Sequence, residues 1–136
     1  SQPMNTDSYR VIPEDTYVEL SVSSVFASFG IKIIISNEVL VPQFGEKLIV
    51  LSEKSTLILR TRQQGDRFKP MGMGGHSRSI KKWMIDRKIP RHIRNNLPIL
   101  ALDNDILAIC VGEKWHLADE SQYNVNGSRK MYLILG

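Results

Sequence analysis

Apolar and polar positions alternate through much of the chain, and that period of two predicts strands. In Tyr17 to Val22, Val18, Leu20 and Val22 share one face, after turn chemistry at Pro13-Glu14-Asp15. Ile31 to Ile35 follows a break at Phe29-Gly30 and is β-branched almost throughout, which favours a strand buried on at least one face. Val39 to Val41 stops at Pro42, Phe44-Gly45 marks another break, and Leu48 to Leu51 fits either a strand or a short helical turn. Leu57 to Arg62 reads as a strand with Ile58, Arg60 and Arg62 on one face and Leu57, Leu59 and Thr61 on the other.

After the turn at Gln64-Gly65-Asp66 and the glycine-rich run Met71 to Gly75, the period changes. Ile80, Trp83 and Met84 fall at i, i+3 and i+4 of a helix capped by Ser77 or Ser79, with Arg78 and Lys82 together on its wet face and Lys81 beside them. Ile89-Pro90 is expected to break that helix. Pro90 suits the first turn of a second one, in which Ile93 and Leu97 share a face and Arg91 and Arg94 share another. Beyond Pro98, Ile99 to Leu102, the turn Asp103-Asn104-Asp105 and Ile106 to Val111 form a hairpin. Trp115 and Leu117 extend the sheet, and Met131 to Leu135 makes a last strand after a loop at Asn124 to Gly127. Strands, a helical pair and strands again define the α+β class. The expected organisation is a polar tail over 1–10 and a single domain over 11–136. That domain is strand-rich to residue 62, basic and helical over 63–97, and a hairpin with final strands over 98–136.

Length and composition support this picture: 136 residues, 42% hydrophobic, suffice for one domain with a real core. No apolar run approaches the roughly 20 residues that span a bilayer, so no membrane partner is expected. The opening residues lack a secretory pattern, and the lone Cys110, set in an apolar run, reads as a buried hydrophobe in a reducing compartment. A cytoplasmic location is expected.

Charge changes the picture more. Residues 60–94 hold eleven Lys or Arg against Asp66 and Asp86, a net +9, whereas the remainder carries net −5 within the overall +4. Such polarisation is the electrostatic footprint of a polyphosphate partner. Arg78, Lys81 and Lys82 could bind phosphates together with the backbone N–H groups of a helix start, against the plainer reading of a solvated face. Arg91 and Arg94 fit phosphate contact, or service as braces against acids such as Asp86. Arg60, Arg62 and Arg67 flank Asp66 and fit either an internal salt-bridge network or direct RNA contact.

Trp83 and Phe68 are better placed for the core than for base stacking. The glycines need only positive φ or close packing, and Gly72-x-Gly74 is a weak nucleotide fingerprint. The three histidines and one cysteine show no zinc spacing, no catalytic set stands out, and Asp103 with Asp105 is turn chemistry.

The elements Arg60-Thr61-Arg62, Gly65-Asp66-Arg67-Phe68, Pro70-x-Gly72-x-Gly74-Gly75, Ile89-Pro90-Arg91 and Leu97-Pro98, in that order and spacing, resemble the C-terminal domain of tRNA(Ile)-lysidine synthetase. The resemblance is strongest from Leu59 to about Gly112. It departs from the family pattern at Ser79, where a cation is customary, at His76, an extra residue in the glycine loop, and at Lys82, where an acid is common.

The resemblance implies a β-rich, sandwich-like or partly open barrel scaffold bearing a basic two-helix insertion, akin to a tRNA-binding domain of the phenylalanyl-tRNA synthetase β subunit. It implies a parent ligase that uses ATP, with magnesium, to join lysine to the wobble cytidine of tRNA(Ile). The S-G-G-x-D-S signature of the ATP-binding domain is missing here, so no cofactor and no catalytic residue is expected in this chain. The implied partners are the acceptor stem of tRNA(Ile), the catalytic domain of the parent enzyme and a second copy in a homodimer. An assembly or docking role is the alternative. The implied tRNA-binding residues are Arg60, Arg62, Arg67, Arg78, Lys81, Lys82, Arg91 and Arg94.

Overall fold

In a computed structural model, residues 10–11, 19–22, 31–52, 56–72, 74, 76–102, 105–119 and 130–136 are described. The polar tail, the turn at Pro13-Glu14-Asp15, Val18, the Phe29-Gly30 break, Met73, Gly75, Asp103-Asn104 and the Asn124 to Gly127 loop lie outside them, wholly or nearly so. The strands are β1 (Arg10–Val11), β2 (Glu19–Val22), β3 (Ile33–Ser36), β4 (Lys47–Ser52), β5 (Thr56–Arg60), β6 (Arg67–Phe68), β7 (Arg78–Ser79), β8 (Ile99–Leu102), β9 (Asp105–Val111), β10 (Lys114–Leu117) and β11 (Lys130–Leu135). The helix α1 spans Ile80–Asp86, and a 3-10 helix spans Arg91–Asn96. Two compact units emerge, one from residues 1–56 with 123–136 and one from residues 57–122.

The first unit has a sheet in the order β1-β3-β11-β4, with β1 parallel to β3 and the other pairs antiparallel. Its register puts Leu133 between Ile35 and Ile49, and Met131 beside Leu51, so one apolar row crosses the sheet. All five side chains are buried. Burial of each aliphatic side chain contributes roughly 1.5–3 kcal/mol. The ambiguity at Leu48 to Leu51 resolves as a strand because β11, far off in sequence, supplies its hydrogen-bond partners.

In the second unit β5, β8, β9, β6 and β7 lie in that order, with β10 also on β9. The hairpin β8–β9 forms as its pattern predicts, with one irregularity. Leu100 pairs with Ala108 but Ala101 with Ile106, which leaves Leu107 as the extra residue of a bulge. Trp115 and Leu117 extend the sheet through β10. Cys110 is buried, and that burial, with Glu113 nearby, raises its thiol pKa from 9.0 to about 11.

The apolar stripe of α1 docks as its spacing requires: Ile80, Trp83 and Met84 are buried. Trp83 meets Phe68 edge-on, ring centroids 5.3 Å apart, and His116 at 5.5 Å, so both aromatics serve the core. Ser79 is the N-cap, accepting from the Lys82 N–H at 3.2 Å.

Three expectations are corrected. Pro90 does not end α1, which closes upstream: Ile89 N–H donates to Met84 O and Lys88 N–H to Ile85 O, with Lys88 at φ 56°. This is the Schellman pattern, with lysine where glycine is usual. The second helix is a 3-10 turn, so Ile93 and Leu97 do not form an α-helical face; Leu97 is its extended C-cap. The strand from Leu57 stops at Arg60, because the chain turns to bring Asp66 back to it.

Candidate nucleic-acid interface

The geometry of the basic segment starts at Asp66. A β-turn from Gln63 to Asp66, closed by Asp66 N–H to Gln63 O at 3.1 Å, needs positive φ at its third residue, and Gly65 supplies 87°. The turn aims the Asp66 carboxylate at Arg60, whose Nη1 and Nη2 donate at 2.8 and 3.0 Å, and at the Gln63 N–H, 2.7 Å away. The Asp66 carbonyl accepts from Ile80 N–H at 3.0 Å, which fixes the start of α1. Arg60 is only 7% exposed and Asp66 5%. Arg60 is thus a brace inside the fold, whereas the seven other predicted cations line two hollows beside α1.

The larger hollow is a cleft of about 800 Å³ lined by Arg62, Arg67, Lys81, Arg91 and Arg94, with Asn95 and Ile85. Four stretches of the chain contribute these cations: the loop just after β5, β6, α1 and the 3-10 helix. Arg62 is held by Nε donating to Asn95 Oδ1 at 2.8 Å, and Arg94 by Nε donating to Ile89 O at 2.8 Å. Anchoring at Nε fixes the plane of each guanidinium while its far edge keeps donors for an oxyanion. Arg91 and Arg94, three apart, stay on one side because a 3-10 helix brings i and i+3 into line.

The smaller hollow, about 460 Å³, is lined by Arg67, His76, Ser77, Arg78, Ser79 and Lys82. Arg67 belongs to both hollows, its Nε donating to Ser77 Oγ at 2.9 Å. Arg78 stands in β7, one residue before the N-cap, not on α1, and pairs with Asp86 at the helix's far end.

Two cleft residues escaped the sequence reading. Asn95 carried no signal of its own. Ile85 did: it lies one turn after Lys81, off the Ile80-Trp83-Met84 stripe, and is 48% exposed. Of the remaining cations, Arg87 sits over the Trp83 ring at 5.4 Å. Among the described residues no cluster of His, Cys, Asp or Glu could hold a metal ion, and no helix is long and apolar enough to cross a membrane.

Residues 57–126, which include both hollows, match the family model described as the TilS substrate C-terminal domain. The chain belongs to this family. A crystal structure titled as the TilS C-terminal domain aligns with a TM-score of 0.53 and 26% identity, covering 76% of this chain and 79% of that one. The sheet-rich α+β architecture is therefore that of the TilS C-terminal domain. Among relatives, the tRNA(Ile)-lysidine synthase of Caldanaerobacter subterraneus is 31% identical over 80 residues, 59% of this chain and 16% of that protein. That of Dehalococcoides mccartyi is 49% identical over 51 residues, 38% of this chain and 11% of that protein. The matched stretches make up less than a fifth of either relative's length.

Proposed function

We propose that the TilS-type C-terminal domain formed by this chain grips the backbone of tRNA(Ile), at its acceptor stem, for a ligase that joins lysine to the wobble cytidine. The observation that carries this reading is the convergence of Arg62, Arg67, Lys81, Arg91 and Arg94, from four stretches of the chain, on one cleft. Three of the five, Arg62, Arg67 and Arg94, are oriented by hydrogen bonds. A-form RNA presents phosphates and 2′-hydroxyls more readily than base edges, and a cleft of cations over an aliphatic patch at Ile85 suits that chemistry. Backbone contacts of this kind position the tRNA without reading its sequence, so the choice of tRNA(Ile) falls to other parts of the enzyme. ATP with magnesium, and lysine, are substrates of the parent's catalytic domain, which shares the cytoplasm with its tRNA. The fold kinship with a domain of the phenylalanyl-tRNA synthetase β subunit, implied by the sequence motifs, belongs to the same reading.

Binding to full-length tRNA and to an acceptor-stem minihelix across a salt series tests this. Five phosphate contacts predict affinity falling by roughly several hundredfold between 50 and 200 mM salt. Arg91→Glu and Lys81→Glu should each weaken both RNAs alike. Unchanged affinity in both variants overturns the reading.

A docking role has one observation in its favour. Val39, Val41 and Phe44, in the first unit between β3 and β4, are 71%, 78% and 106% exposed. Docking predicts that Val41→Ser with Phe44→Ser abolishes association with the catalytic domain supplied in trans while leaving RNA affinity intact.

A further inference from the structure

The smaller hollow gathers Arg67, Arg78 and Lys82, with Arg67 bonded to the Ser77 hydroxyl, and Arg78 is bound to the Asp86 carboxylate. Three cations held by three different elements repel one another, and among the described residues Arg78 alone of the three forms an ion pair, with Asp86. The Arg78–Asp86 pair lies near solvent, its side chains 30% and 45% exposed, so it is held weakly and can exchange. Arg67, by contrast, is fixed by Ser77.

We propose that this hollow is a second anion site, for a phosphate ester, and that Asp86 is an internal carboxylate which occupies Arg78 until the ester displaces it. The ester's oxygens would accept from the guanidinium groups of Arg78 and Arg67 and from the Lys82 ammonium, while Asp86 turns out to water. The site deepens the RNA-binding reading and rests on it for the source of the ester, a backbone diester or a 5′-terminal monoester. Because Arg67 lines both hollows, an RNA in the cleft has its neighbouring phosphates beside this one.

The test uses the full chain and inorganic phosphate as probe, followed through the arginine Nε–H resonances. Asp86→Asn should tighten phosphate binding about 3- to 10-fold, and Arg78→Ala should abolish the gain. Arg91→Glu should leave this binding in place, as should Glu113→Gln, which removes an equal charge outside the hollow. Equal binding by the parent chain and Asp86→Asn, or an equal gain in Glu113→Gln, overturns the proposal. Minihelices with a 5′-phosphate or a 5′-hydroxyl then separate the sources: a gain in Asp86→Asn confined to the former marks a terminal monoester, and a gain in both marks the backbone. If RNA fails to bind while phosphate still shifts Arg78, the RNA reading falls and the anion site stands. If Arg91→Glu loses RNA while Asp86→Asn changes nothing, the reverse holds.

Discussion

Arg60 meets Asp66 edge to edge, two hydrogen bonds of 2.8 and 3.0 Å between side chains nearly sealed from water. Six residues apart in sequence, they tie the end of β5 to the turn that also fixes the first residue of α1.

Removing one partner is therefore expected to cost far more than a surface pair. Asp66→Ala leaves a buried guanidinium without its counter-charge and releases the Gln63 N–H, a loss of about 3–5 kcal/mol in urea unfolding. Replacing both, as Arg60→Met with Asp66→Leu, should recover much of that. A loss below about 1 kcal/mol in Asp66→Ala, the range of an exposed pair, would show that the brace is dispensable.

Lys88 occupies the left-handed position that closes α1. Lys88→Gly should stabilise the chain by about 1 kcal/mol by relieving the Cβ clash, seen as a higher unfolding midpoint. RNA affinity should stay the same, since Lys88 lines neither hollow. A lower midpoint would mean that the glycine's unfolded-state entropy outweighs the relief.

The Cys110 thiol, raised from 9.0 to about 11, gives a pH signature. The unfolded chain ionises it first, so its share of stability is complete below about pH 9 and is lost as pH rises towards 11. The full loss is about 2–3 kcal/mol. The difference in unfolding free energy between the parent chain and Cys110→Ala, measured from pH 8 to 11, should shrink by that amount. A constant difference would show that the thiol ionises as readily in the fold as out of it.

Local patterns made much of the fold legible. Ile80, Trp83 and Met84 announced the buried stripe of α1, Ser77 and Ser79 were its two candidate caps, of which Ser79 serves, and the run from Ile99 to Val111 announced its hairpin. The two-residue strands β6 and β7 were not legible, because they are defined by the pairing of Arg67 with Ser79 and of Phe68 with Arg78 and not by a period of their own. The charge density of residues 60–94 pointed to the right segment but not to the division of labour within it. Alternation put Arg60 and Arg62 on one face, yet a carboxylate returning from Asp66 took the first into the interior, while Asn95, 33 residues downstream, holds the second at the cleft. The partner of Arg60 was within reach of a local window, and its salt bridge was one of the two readings open there, whereas the partner of Arg62 lies far beyond any such window.

The Arg62–Asn95 bond closes a long loop around the cleft, whose cations come from four separate stretches of the chain. No short peptide cut from this chain can reproduce that surface, since each excised piece would carry one or two of its charges without their spacing. Occupancy and folding are then thermodynamically linked: a polyanion at a hundred times its dissociation constant raises the unfolding free energy by about 2.7 kcal/mol. Melting curves recorded with and without ligand thereby weigh the cleft's grip without any label on either molecule.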